Sequence, residues 1–208
     1  MMLTADMSPE ELLDLSLNSP EAAAELERRY RSIAAVLVVD FSSMRARTDA
    51  FGIVHTLATL RAAFRAYSPA IEANGGQTIK SVADTYFAIF DGPNGALMAA
   101  LDGHRRMRDF NKGRNGNISK GKPHAPIFPR SGLGYGAALI FDDQNLFGAE
   151  VNRAFILGED VAADQEILAS SEFSRALGSP PAGVGVHAAP HDREVEAGFP
   201  FCMYTDFR

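Results

Sequence analysis

Apolar residues run without a break from Ile33 to Val39 and stop at Asp40-Phe41-Ser42. A short apolar run closed by polar residues predicts a buried strand, Ile33–Phe41. Residues 1–31 are acidic and rich in Ala, Leu and Glu, with Ser8-Pro9-Glu10-Glu11 and Ser19-Pro20-Glu21 marking two helix starts. In each, Ser can cap, Pro fits the first helical position and Glu suits the helix dipole. After the strand, Phe51, Val54, Leu57, Leu60, Phe64, Tyr67 and Ile71 recur at spacings of three and four. This predicts a helix from about Ala50 to Ala73 with one apolar stripe, kinked near Pro69. Asn74-Gly75 ends it in the left-handed conformation those residues tolerate. Gln77–Val82, a turn at Ala83-Asp84, and the aromatic run Thr85–Phe90 then read as a β-hairpin. Asp91-Gly92-Pro93-Asn94 breaks the strand, and Gly95–Phe110 reads as a helix with Ala96, Leu97, Ala100, Leu101 and Met107 on its apolar face.

The pattern is lost between Asn111 and Pro129, where glycines and prolines sit among Lys112, Arg114, Lys120 and Lys122. Such composition predicts a basic loop, either a solvated surface or a lid that faces phosphate. Arg130–Phe141 follows as a strand in which Gly132, Gly134 and Gly136 alternate, as if another backbone approached closely. A turn at Asp142–Asn145, a helix over Ala149–Ala162, a short strand Glu166–Ser170 and a helix over Ser171–Leu177 come next. A Pro/Gly-rich loop then leads to two edge strands, near Val186–His187 and Phe201–Thr205. The order is β-α-β-β-α-β with further pieces, an α+β, ferredoxin-like pattern of antiparallel sheet with helices on one face. It divides into an N-terminal helical arm, residues 1–31, and one domain, residues 32–208.

A formal net charge of −6 argues against nucleic-acid binding, and 46% hydrophobic with 22% charged residues is the balance of an ordinary soluble globule. Cys202 is the single cysteine, so no internal disulfide forms and a reducing, cytoplasmic setting is expected. No apolar run approaches the roughly 20 residues of a membrane span.

Two carboxylates change this picture. Asp40 and Asp84 each close an apolar strand, where a bare charge is costly unless a cation or hydrogen bonds satisfy it. If the strands face one another, the pair can share a hard, oxygen-seeking cation such as Mg²⁺. A strand-end cap or a satisfied salt bridge is the alternative reading.

Four segments in order now resemble the class III nucleotidyl cyclase catalytic domain. They are Val38-Val39-Asp40-Phe41-Ser42, Gly75–Asp84, Gly132-Leu133-Gly134-Tyr135-Gly136 and Phe147–Asn152 running on into Leu157–Asp160 and Glu166–Leu168. The resemblance spans about Ile33 to Ser170. It implies a head-to-tail homodimer with active sites at the subunit interface, converting a nucleoside triphosphate to a 3′,5′-cyclic nucleotide and pyrophosphate. One subunit would hold two Mg²⁺ or Mn²⁺ ions through Asp40 and Asp84, with the Phe41 carbonyl completing one shell. The opposite subunit would supply Lys80, Asn145 and Asn152. By the same resemblance Lys80 favours adenine, because lysine offers donors and no acceptor. The sequence departs from the family where it places Ile156 and Ala137 at positions that commonly carry arginine. Arg153 or the basic loop is then the expected source of positive charge. Lys80 as a solvated strand residue, Asn145 as a turn residue and Asn152 as a backbone tie are the corresponding structural readings. The alternative function is a catalytically weakened domain that binds nucleotide or a partner protein.

Overall fold

The computed structural model describes residues 7–116, 126–141 and 145–206. Both early helices form where their caps predict. Helix α1 spans Pro9–Ser16, with Ser8 and Glu11 closing a reciprocal capping box, and α2 spans Pro20–Tyr30 with the Ser19 hydroxyl accepting from the Ala22 amide. They bury Leu12, Ala22 and Leu26 against each other and reach the sheet through Tyr30 and Leu139.

Strand β1, Arg31–Phe41, lies at the centre of the sheet and is buried from Ala34 to Phe41. On one side it pairs antiparallel with β3 (Thr85–Phe90), which carries β2 (Gln77–Val82) at the edge. On the other side β1 pairs antiparallel with β4, Pro129–Phe141. The order β2-β3-β1-β4 is the ferredoxin-like core the pattern predicts. Beyond β4 the sheet continues through β6 (Ile167–Ser170), β8 (Phe201–Asp206) and β7 (Val184–Ala188). The β4–β6 pair is parallel, so the sheet is mixed. Of the two late strands read as edges, only β7 is one, since β8 is paired on both sides. Helix α8, His191–Ala197, joins them and has no counterpart in the sequence reading.

Helices cover both faces of the sheet, not one. Helices α4 (Ile53–Ala73) and α5 (Pro93–Gly116) pack on the face of Leu37, Val39 and Phe41. Helix α6, Ala149–Ile156, covers the other face over Val36, Val38 and Ala138. The glycines of β4 permit this. A Cβ on Gly134 would lie 3.0 Å from the Glu150 carbonyl carbon, and one on Gly132 would strike the Ala154 carbonyl. The α6 backbone therefore rests directly on the strand, as the alternating glycines suggested.

The apolar stripe expected along the first long helix is only half right. Gly52, at φ +84°, separates a short α3 (Met44–Phe51) from α4. Leu60, Tyr67 and Ile71 are buried, but Val54 and Leu57 are 79% and 64% exposed. The buried face is instead Thr56, Thr59, Leu60 and Ala63, the same spacing shifted onto two threonines. Helical geometry hides the polarity: the Thr56 hydroxyl donates to the Gly52 carbonyl one turn earlier, 3.1 Å away. The first residues read as the basic loop, 111–116, are helical instead. Helix α5 runs on to Gly116, with Lys112 beside Asp109 at 3.2 Å, and buried Asn111 holds Ile127 through its amide and carbonyl. Lys120, Lys122 and the turn at 142–144 lie outside the described residues.

Candidate active site

Antiparallel register builds the site. Asp40 stands opposite Thr85 on one neighbouring strand and opposite Arg130 on the other. Residues opposite one another share a face, so all three point to the side covered by α6. Asp84 sits at the hairpin turn, next to Thr85. The preceding Ala83 has φ +52°, the left-handed geometry that brings a two-residue connection tightly round. Asp40 is 1% exposed and Asp84 half-buried.

Asp40 forms an ion pair with Arg130. Burial nonetheless pushes its carboxyl up to about 6, against the pull of the Arg130 guanidinium, and the charges of Glu159 and Asp84 add to the upward push. Glu159 was not singled out in the sequence. It reaches this corner from a single π-helical turn, Leu157–Val161, that continues α6. The Thr85 hydroxyl donates to its Oε2 at 2.7 Å. Two further groups here are buried without a partner, the Ser42 hydroxyl and the Arg130 Nε. As the chain stands, no three acidic, His or Cys side chains among the described residues surround one point.

The donor set fits a divalent ion. Oxygen ligands of this type suit Mg²⁺ and Mn²⁺, and the Asp84 and Glu159 carboxylates are near enough to act electrostatically on Asp40, which is itself paired with Arg130. An ion that bound Asp40 would compete with Arg130 for the carboxylate, and below about pH 6 with a proton as well. Mn²⁺ affinity is therefore expected to fall as pH drops through 6, by up to about tenfold per unit for one proton released. Calorimetric titration between pH 5 and 8 checks this. The sign for folding is the opposite one. The carboxyl is easier to protonate folded than unfolded, so its stabilising contribution is full below pH 4 and lost as pH rises through 6.

The residues expected to contact base and ribose do not join this corner within one chain. Asn145 starts the short strand β5 (Asn145–Phe147) opposite Phe141, where a turn was expected. Phe141 is eleven positions along β4 from Arg130, roughly 35 Å at the rise of a strand. Lys80 is half-buried on β2 with its ammonium 5.2 Å over the Phe87 ring, and Phe87 stacks on Phe155 of α6 at 6.0 Å. Asn152 is exposed on α6. Arg153 points away from it. Its guanidinium pairs with Glu150, lies 3.1 Å from Glu172 and stacks over Phe199. Glu150 is itself buried and accepts from the Tyr135 amide and the Ser170 hydroxyl, so it pins α6 to β4 and β6. Ile156 is half-buried. Ala137 lines an apolar groove of about 350 Å³ with Phe147 and Gly148, far along β4 from Asp40.

The fold is that of the class III adenylate and guanylate cyclase catalytic domain. A cyclase/hydrolase from Silicibacter pomeroyi matches with a TM-score of 0.67 at 21% identity, over 86% of this chain and 98% of that one. The adenylyl cyclase CyaB from P. aeruginosa matches with a TM-score of 0.67 at 18% identity, over 86% and 96%. The non-canonical dimeric guanylyl cyclase domain of the RhoGC fusion protein from Blastocladiella emersonii matches with a TM-score of 0.63 at 16% identity, over 84% and 97%. The sequence itself matches no model of a protein family and no curated protein. Among the described residues no helix is long and apolar enough to cross a membrane.

Proposed function

We propose that the chain is a nucleotidyl cyclase that forms a 3′,5′-cyclic nucleotide from a nucleoside triphosphate, with ATP the preferred substrate. The observation that carries this is the buried Asp40 at the end of the central strand, with Asp84 at the adjoining hairpin turn, on a cyclase fold. Asp40, Asp84 and the Phe41 carbonyl would hold two Mg²⁺ or Mn²⁺ ions. Bound there, such ions supply charge neutralisation of a triphosphate and a lowered pKa for the attacking hydroxyl. The protein's own part is positioning: phosphoryl transfer asks little else of it. Asp40 is fixed by pairing on both sides of β1, and Asp84 by the tight turn.

The distance from Asp40 to Asn145 favours a site shared between two copies. Ile53, Val54 and Leu57 leave an exposed apolar patch on α4, as a chain with a partner surface does. In a dimer, Lys80 and Asn145 of one copy would meet the base and Asn152 the ribose bound by the other. Arg153 contributes charge only if it leaves Glu150 and Glu172. Ile156 and Ala137 therefore favour a second reading, a domain that binds nucleotide and turns it over poorly.

Turnover separates the two. Purified protein with Mn²⁺ and each of ATP, GTP, CTP and UTP, with products resolved by chromatography, is expected to give cyclic AMP above the others. Mn²⁺-dependent nucleotide binding with no cyclic product at high protein concentration would favour the second reading.

A further inference from the structure

We propose that Glu159 is a positioning residue of the divalent-cation site, a third carboxylate held by Thr85 whose charge draws the ion to Asp40 and Asp84. The inference rests on the reading of those two aspartates as metal ligands.

Three independent features place Glu159 there. The first is the π turn, in which the Ala162 amide donates to the Leu157 carbonyl at 2.8 Å, five residues back. One extra residue in a turn re-aims the side chains within it. The second is Gly158, buried against the sheet so tightly that a Cβ would lie 3.0 Å from the Gly132 amide nitrogen and 3.1 Å from the Val38 carbonyl oxygen. With that residue pressed between β1 and β4, the next one overhangs the strand ends where Asp40, Thr85 and Arg130 stand. The third is the hydrogen bond from Thr85, whose strand position is opposite Asp40. It fixes one carboxylate oxygen of Glu159.

A clamp between hairpin and π turn would need only a hydrogen-bond acceptor. Glutamine would serve that purpose with no charge beside two aspartates. A carboxylate instead makes the corner more anionic, a cost to the cation-free fold and a gain once a divalent ion arrives.

The test is Mn²⁺ binding to the nucleotide-free protein, followed by electron paramagnetic resonance of the free ion, with thermal melts of every variant. Glu159→Gln keeps an acceptor for Thr85 and loses the charge. It is expected to weaken Mn²⁺ binding about tenfold, the scale of a lost supporting group at a metal site, with the melting temperature held. Glu72→Gln, which removes one exposed charge from α4, is expected to change nothing. The gap between wild type and Glu159→Gln is expected to narrow as salt rises, because the effect is electrostatic. Unchanged Mn²⁺ affinity in Glu159→Gln, with Asp84→Asn clearly weakened, would overturn this proposal and leave the aspartate site standing. No Mn²⁺ binding by the wild type would overturn both. If Glu159→Gln fails to fold, Thr85→Val, which frees the carboxylate but keeps its charge, decides: weakened binding supports the proposal, and unchanged binding overturns it.

Discussion

Asp84→Ala is expected to remove cyclase turnover, by on the order of a thousandfold or more. Asp84 adjoins the strand position that faces Asp40, so on the proposed function its loss would take a ligand from the ions that would stabilise charge in phosphoryl transfer. That stabilisation is worth several kcal/mol, and about 4 kcal/mol corresponds to about a thousandfold in rate. The fold is expected to survive. Asp84 is half-buried at a turn whose geometry is set by Ala83 and the pairing of Val82 with Thr85. Far-UV circular dichroism and sedimentation of the variant should match the wild type while the cyclic product disappears. Turnover within threefold of wild type would remove Asp84 from the machinery.

The second large effect is on stability. Gly134→Val is expected to cost about 3 kcal/mol, the upper range for forcing atoms into a filled core. Even a single Cβ there would press on the Glu150 backbone. The displaced helix would loosen Glu150 from the Tyr135 amide and Ser170. In a chain of this length such a loss lowers the melting temperature by roughly 10 °C. Gly92→Ala, where a Cβ meets nothing within 4 Å, is the control and should shift it by less than about 2 °C. Differential scanning calorimetry decides, and equal melting temperatures for the two variants would show that α6 does not rest on β4 as described.

Most of the scaffold was legible because its signals are local. Ser-Pro-Glu starts, the Ala83-Asp84 turn and the alternating glycines each depend on a few adjacent residues, and each appears where it was read. The misreadings are tertiary. Thr56 and Thr59 face the core because the helix backbone satisfies Thr56's hydroxyl, which no polarity pattern reveals. Helices on both faces had a signal in Ile33–Val39, whose apolar residues do not alternate. A strand wet on one face would alternate. Strand β8 was taken for an edge because its pairing with β6 joins residues over thirty positions apart. Within the site, Asp40 and Asp84 stood out as lone carboxylates after apolar runs. Glu159 and Arg130 did not, since their meeting with Asp40 depends on strand register and on one additional residue in a helical turn.

The seat of α6 also has a mechanical meaning. Where side chains separate a helix from a sheet, the layer between them can creep, and the two can shift by fractions of an ångström. Here main chain lies on main chain at Gly132 and Gly134, with no such layer to yield. Strand β4, helix α6 and the π turn therefore move as one lever. Its far arm is the β4–β5 ribbon bearing Asn145, and its near arm ends at Glu159 over Asp40. A displacement of the ribbon would meet no side-chain layer at those two glycines on its way to Glu159.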